Sequence, residues 1–198
     1  MTLIVGITGG IASGKSTFSK EVVRRNLKIL DSDKQVSTIY KKPKKEFLLF
    51  LQKIGLGASV KNKKINKKII SEIIFSNNKI KTKLERYIFR KIRKQRYAFI
   101  KKEKKFKTKN IFLDIPLLFE NNLNNQCDII ISIISTKKNR LKRIKRSKKI
   151  SEKMFKKILK SQTSDLTRKK NSDIIIYNND SISSYKIKIN KTLNKLIL

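Results

Sequence analysis

The sequence predicts an α/β fold whose parallel sheet is flanked by helices, and three observations carry that prediction. Residues 3–7, 110–114, 128–134 and 173–177 are short, nearly continuous apolar runs rich in β-branched side chains, the pattern of strands buried on both faces. Longer stretches with apolar residues at helical spacing alternate with them, the order expected of a parallel sheet. The first run leads directly into Gly9-Gly10-Ile11-Ala12-Ser13-Gly14-Lys15-Ser16, which matches G-x-x-x-x-G-K-[ST].

That motif stands where its chemistry needs it, after a strand and before a helix with Phe18, Val22 and Val23 on one face. Gly9, Gly10 and Gly14 let the backbone turn tightly and bring its N–H groups to phosphate oxygens. The helix opening near Lys15 points its positive end at the same anion. Lys15 can reach the β- and γ-phosphates, and the Ser16 hydroxyl can ligate Mg²⁺. Lying among glycines, Lys15 is expected to pack little. The reading is a P-loop NTPase-type nucleotide site, and the motif leaves the phosphoryl acceptor open.

A chain of 198 residues, 38% of them hydrophobic, suffices for one domain with inserted subdomains and a full core. Its longest apolar run, residues 129–134, is far too short to cross a membrane and is broken by Ser132. The first residues lack a basic stretch followed by a long apolar one, so no secretory leader is expected. Cys127 is the only cysteine, which excludes an intramolecular disulfide and fits a cytoplasmic location. Histidine is absent, which excludes histidine catalysis and zinc sites of the His/Cys type.

The formal net charge is +37, from 51 Lys and Arg against 14 Asp and Glu. A surface of this sign attracts polyanions, and a nucleic-acid-binding NTPase is one reading of it. The excess is mostly lysine, travels with abundant Ile and Asn, and is spread along the chain, which favours a compositional drift towards AT-rich codons. No basic–aromatic repeat accompanies it, so no specific nucleic-acid partner is expected, only salt-sensitive contact with polyanions.

Along the chain, residues 28–31 read as a second strand ending in Asp31. Asp31-Ser32-Asp33 then opens a helix running to about Tyr40, with Ser32 or Asp33 as its cap. Carboxylates at that strand end lie where ligands bind in open α/β sheets. Pro43 breaks the helix. Residues 43–107 show helical spacing and almost no strand signal: Phe47, Leu48 and Leu51 form one stripe, Ile65, Ile69, Ile73 and Ile74 a second, Leu84, Ile88, Ile92 and Phe99 a third. Residues 101–109 read as a loop. Pro116 stops the next strand, and Leu117-Leu118-Phe119-Glu120 begins a short helix or turn. Residues 140–160 are a basic helical pair interrupted near Lys148-Lys149, residues 161–171 are polar, and residues 183–198 form a closing amphipathic helix.

Together these pieces resemble the dephospho-CoA kinase family. The resemblance rests on residues 6–17, Asp31-Ser32-Asp33, Asp114-Ile115-Pro116-Leu117-Leu118-Phe119-Glu120, Arg140-Leu141-Lys142-Arg143 with Arg146, Gln162, Ser172-Asp173 and Asn178, in that order. The phosphate loop is shared by many kinases, whereas the D-x-D and P-L-L-F-E pieces are far more specific. Three departures stand out. Ala12 replaces a glycine, which is tolerable if its backbone dihedrals are ordinary. Phe89-Arg90 stands where the family often has His-Pro. Asp165 falls where it often has an arginine, leaving Arg168 as the matching lid arginine.

The resemblance implies ATP-dependent phosphorylation of the ribose 3′-hydroxyl of dephospho-CoA, with ATP, Mg²⁺ and dephospho-CoA as the partners of a monomer or weak oligomer. It implies a single domain with its core in 1–42, 108–136 and 171–198, a helical substrate insertion at 43–107 and a lid at 137–170. ATP is expected on Gly10, Ala12, Ser13, Gly14, Lys15, Ser16 and Thr17, with Arg143 closing on the phosphates and Asn178 on the adenine. Lys15, Asp33 and Arg143 are the expected catalytic groups. Asp33 orients and deprotonates the hydroxyl, or only caps its helix. Asp31 positions the site or meets Mg²⁺ through water. Ser16 and Asp114 are the expected metal residues, and Asp114 alternatively accepts only a strand-end hydrogen bond. Leu117, Leu118 and Phe119 wall the acceptor pocket in part, with Glu120 at its rim and Asp33 as a further substrate contact. Another small-molecule P-loop kinase, of nucleotide, nucleoside or shikimate type, is the alternative that the D-x-D and P-L-L-F-E pieces oppose.

Overall fold

A computed structural model of the chain describes residues 1–148 and 150–197. Lys149, expected at the break between two basic helices, and Leu198, expected at the end of the last helix, lie outside the described residues. In chain order the elements are β1 Leu3–Gly9, α1 Lys15–Arg24, β2 Lys28–Asp31, α2 Ser32–Lys41, α3 Lys45–Lys53, β3 Val60–Lys61, β4 Lys64–Ile65, α4 Lys67–Ser76, α5 Asn78–Lys105, β5 Asn110–Asp114, β6 Ile129–Ile134, α6 Lys137–Ser147, α7 Glu152–Ser161, α8 Asp165–Lys170, β7 Ile174–Tyr177 and α9 Ile182–Ile197. Two compact units divide them, Met1–Asp31 with Ile100–Leu198, and Ser32–Phe99.

The first unit is built on a five-stranded sheet in the order β2-β5-β1-β6-β7, every pair parallel. Central β1 is flanked on both sides, Val5 lying opposite Phe112 in β5 and Ile129 in β6. Every residue of β1 after Leu3 is buried, on both faces of the sheet, as a continuous rather than alternating apolar pattern requires. Phe18 and Val22 of α1, and Tyr185, Ile189 and Leu193 of α9, complete one buried cluster with Val5, Ile7, Phe112, Ile131, Ile133 and Ile176. The α9 residues recur every four positions, the spacing that stacks one helical face on the sheet. The register aligns Asp114 with Ile7 on one side and with Asp31 on the other, so β1, β2 and β5 end together at one carboxyl edge.

In the second unit Phe47, Leu51, Ile54, Leu56, Ile70, Leu84, Tyr87, Ile88 and Ile92 form a separate core. The Tyr87 ring stacks on Phe50 at 4.2 Å and on Phe47 at 5.2 Å between centroids. Pro43 falls between α2 and α3, and the Asn66 side chain caps α4 by accepting from the N–H groups of Lys68 and Ile69.

Local expectations fail in three places. Residues 101–109 are not a loop: α5 continues to Lys105, because lysine is a good helix former and no breaker intervenes before Lys107, whose φ of +54° leaves the helix. Residues 60–65 of the supposedly helical insertion form an antiparallel hairpin, Val60 opposite Ile65, so Ile65 belongs to a strand. Its turn residues Asn62 and Lys63 both have positive φ, +50° and +58°, a primed turn without the glycine that would have signalled it. Residues 161–171, read only as polar, contain α8, capped by the Ser164 side chain on the Thr167 N–H.

Candidate active site

The phosphate loop closes at Gly14, whose φ is +109°. A Cβ there would run into Asn178 Nδ2 and stand 3.2 Å from Tyr185 Cε1, so the position accepts only glycine. No side chain caps α1 at Gly14; the Thr17 N–H turns back to the Gly14 carbonyl at 2.9 Å, which leaves the N–H groups of Lys15 and Ser16 to the loop's ligand.

Behind the loop its carbonyls are collected one by one. Arg143 Nη1 donates to Ala12 O at 3.0 Å and to Ser13 O at 3.2 Å. Asn178 Nδ2 donates to Ser13 O at 2.7 Å, and the Tyr185 hydroxyl donates to Gly14 O at 3.1 Å. A peptide N–H points opposite to its C=O, so carbonyls held at the rear turn the N–H groups towards the front, where an anion would sit. Arg143 is itself fixed by donating to Ser135 Oγ at 3.1 Å and to Asn178 O at 2.8 Å. Burial pulls the Arg143 guanidinium below its ordinary value. Burial likewise pushes the Tyr185 phenol up, so that it remains a donor.

Lys15 does not stand free of packing, as its glycine-rich surroundings suggested. Its side chain is 12% exposed and its ammonium pairs with Asp114 at the end of β5. Asp114, itself buried, also accepts from Ser19 Oγ at 2.5 Å. The Asp114 carboxylate is thus a strand-end acceptor for a lysine and a serine hydroxyl. Asp31 ends β2 in register beside it. Ser16 and Thr17 stand in the first turn of α1, Ser16 exposed. A hydroxyl and carboxylates are the hard oxygen ligands that Mg²⁺ accepts when phosphates supply further ones. Among the described residues no cluster of three or more His, Cys, Asp or Glu could hold a metal without such phosphates.

Residues 137–170 reach the loop as well. Gln162 Oε1 accepts from the Ile11 N–H at 2.9 Å. Arg140 donates through Nε to Ser135 O at 2.7 Å and pairs through Nη2 with Asp165. A Cβ on Gly10 would collide with the Arg140 guanidinium, which therefore covers the loop there. Arg168, 1% exposed, donates to Thr163 O and pairs with Asp165 and Glu120. Burial pulls its guanidinium down, against the two carboxylates.

After Pro116, residues 117–120 form a turn. Leu118 is buried against Gly6, Leu117 is exposed and Phe119 half-buried. Glu120 Oε1 accepts from the Thr163 N–H at 2.7 Å and from Arg168 Nη2 at 3.1 Å, so it ties the turn to residues 163–168. Ala12 has φ +57°, so its dihedrals are not ordinary for alanine. Asp33 lies in the second unit, exposed in the first turn of α2.

The first unit thus brings Gly10, Ala12, Ser13, Gly14, Lys15, Ser16, Thr17, Asp114, Arg143 and Asn178 around one loop, and Leu117 to Glu120 onto the turn that follows β5. Sequence reasoning missed Tyr185, Ser135 and the contact of Arg140 with the loop. A tyrosine on an apolar helical face and an arginine in a basic helix carry no local signal of such contacts.

Comparison with known proteins decides the family. A profile of the dephospho-CoA kinase (CoaE) family matches residues 3–184. The chain belongs to the dephospho-CoA kinase family. A dephospho-CoA kinase of Fusobacterium nucleatum is 36% identical over 190 residues, 96% of each chain. The solved structure of a dephospho-CoA kinase from Campylobacter jejuni is 30% identical, with a TM-score of 0.75 over 99% of this chain and 98% of that one. A solved structure from Thermus thermophilus superposes with a TM-score of 0.79 over 98% of both chains at 19% identity, a likeness of fold. The dephospho-CoA kinase fold thus extends along almost the whole of this chain, and among the described residues no helix is long and apolar enough to cross a membrane.

Proposed function

We propose that this chain transfers the γ-phosphoryl group of ATP to the ribose 3′-hydroxyl of dephospho-CoA, giving CoA and ADP. The observation that carries the reading is the family match across residues 3–184, which takes in the phosphate loop, Asp31-Ser32-Asp33 and the P-L-L-F-E turn. ATP occupies the loop formed by Gly10 to Thr17. The loop N–H groups, turned forward by the hold of Arg143, Asn178 and Tyr185 on their carbonyls, take the phosphate oxygens. Preorganised donors of this kind need no rearrangement when charge develops in the transition state.

Lys15 leaves Asp114 in whole or part to follow the β- and γ-phosphates. The Ser16 hydroxyl and Asp114 are the residues that would hold Mg²⁺, with Asp31 positioning the site, and the ion would supply charge neutralisation of the phosphates. Asp33 orients the acceptor hydroxyl and takes its proton. Phosphoryl transfer has a loose transition state, so alignment outweighs deprotonation. Arg143 acts in ATP binding by shaping the loop, and Asn178 does the same from the turn after β7. Residues 43–107 are the acceptor-binding insertion, with Leu117, Leu118, Phe119 and Glu120 contributing from the core, and residues 137–170 are the lid that shuts water out. The single cysteine and the substrates fit a cytoplasmic enzyme working as a monomer or weak oligomer.

The test is detection by mass of CoA formed from dephospho-CoA and ATP with Mg²⁺, beside a panel of nucleosides, nucleotides and shikimate as alternative acceptors. CoA formation with the panel inert is expected. Faster transfer to any panel member would overturn the assignment of the acceptor.

A further inference from the structure

Asp165 departs from the family pattern as an acid in place of an arginine, and its contacts are specific. Its carboxylate stands between two buried guanidiniums, Oδ2 paired with Arg140 of α6 and Oδ1 3.4 Å from Nη1 of Arg168 in its own helix. Arg168 continues to Glu120 at 3.1 Å. Charges therefore alternate along Glu120, Arg168, Asp165 and Arg140, from the turn after β5 to the phosphate loop. The side chains of Arg140 and Arg168 are 4% and 1% exposed, whereas that of Asp165 is 35% exposed. Without the acid, two desolvated cations would face each other.

Arg140 has two of its three nitrogens committed, Nε to the carbonyl of Ser135 and Nη2 to Asp165. The third, Nη1, is the atom that a Cβ on Gly10 would meet first. A planar guanidinium fixed at two corners has its third corner fixed as well. Here that corner lies over the loop that takes the phosphates.

We propose that Arg140 is a further phosphate-binding residue of the kinase, donating from Nη1 over Gly10, and that Asp165 is its positioning residue, holding the guanidinium there against the repulsion of Arg168. The proposal rests on the nucleotide site described above. It assigns Asp165 no contact with either substrate: the acid acts only through Arg140. Because a displaced contact can cost about a hundredfold in rate, losing the carboxylate should lower kcat/KM for ATP by about ten- to a hundredfold while leaving KM for dephospho-CoA near its original value.

The test is a double-mutant cycle on Asp165→Asn, Arg140→Ala and the pair, read as kcat, KM for each substrate and the Kd of a non-hydrolysable ATP analogue. Each single variant is expected to weaken analogue binding and ATP turnover. Asp165→Asn is expected to change nothing further once Arg140 is alanine, since residues acting as one unit are not additive. Asp165→Glu, which keeps the charge, should recover part of the loss and serves if the asparagine variant does not fold. Additive effects in the cycle, a loss confined to KM for dephospho-CoA, or tighter ATP binding in Asp165→Asn would overturn the proposal. Analogue binding needs no acceptor. If the wild type binds the analogue with a non-additive cycle yet makes no CoA, the acceptor assignment fails and this one stands. If it makes CoA and the cycle is additive, only this one falls.

Discussion

Replacing Ala12 with glycine should stabilise the protein. Ala12 is held at φ +57°, in the left-handed region. For a residue with a Cβ that conformation costs roughly 1–2 kcal/mol, because the Cβ approaches the following carbonyl oxygen. The conformation is enforced from outside: Arg143 Nη1 holds the Ala12 carbonyl at 3.0 Å and the next one, of Ser13, at 3.2 Å. Glycine removes the strain and keeps both hydrogen bonds, since they are made to backbone. Against this, glycine frees the unfolded chain by about 0.4–1 kcal/mol. The difference favours Ala12→Gly by roughly 0.5–1 kcal/mol, or about 1–4 °C in Tm for a chain of this length. The assay is urea denaturation of both proteins with a common m-value, supported by melting curves and an ATP titration. A lower midpoint for Ala12→Gly would refute the reasoning, because it would mean that packing of the methyl group outweighs the backbone strain. Gly14→Ala is the opposite control: at φ +109°, with Asn178 in the way, it should be strongly destabilising.

Other outcomes follow from the same contacts. Lys15→Ala should abolish phosphoryl transfer and also cost stability, because buried Asp114 loses its cation, a change worth about 3–5 kcal/mol for a buried pair; folded Lys15→Ala that still makes ADP would refute the site. Asp33→Asn should lower turnover by about a hundred- to ten-thousand-fold with ATP binding little changed, and Asp31→Asn by less; steady-state kinetics giving the reverse order would exchange the two roles. Arg143→Ala should destabilise the loop by about 1–3 kcal/mol, through the Ala12 carbonyl left without its donor while Ser13 O keeps Asn178 and Asn178 O keeps Ser135, and Arg143→Lys should not restore it because the fork is lost; denaturant midpoints decide. Burial raises the Tyr185 pKa in the folded protein. Its stabilising contribution is therefore complete below the unfolded value of about 10 and is lost as pH rises through the folded value. Between about pH 9 and 11 the wild type should lose more stability than Tyr185→Phe; parallel losses would show that the phenol ionises as easily when folded.

The sequence by itself determined what is encoded locally. A β-branched run, a glycine-rich turn and an amphipathic helix in succession define β1, the loop and α1, because each is set by neighbours within a few residues. The same holds for the carboxylates that end β2 and β5: β5 is a continuous, fully buried apolar run, and β2 a short edge strand that stops at its own aspartate. Even local reading failed where the usual marker residue was missing, at the hairpin turned by Asn62 and Lys63 and along the lysine-rich end of α5. Only the tertiary structure decided how the loop is held. Arg143, Asn178 and Tyr185 reach Ala12, Ser13 and Gly14 from 131, 165 and 171 residues away. It also decided that Lys15 rests on Asp114 and that Asp165 stands between Arg140 and Arg168. A backbone carbonyl accepts from any donor brought within reach. Which arginine, asparagine or tyrosine satisfies it depends on how β6, β7, α6 and α9 pack, and no local pattern of residues carries that information.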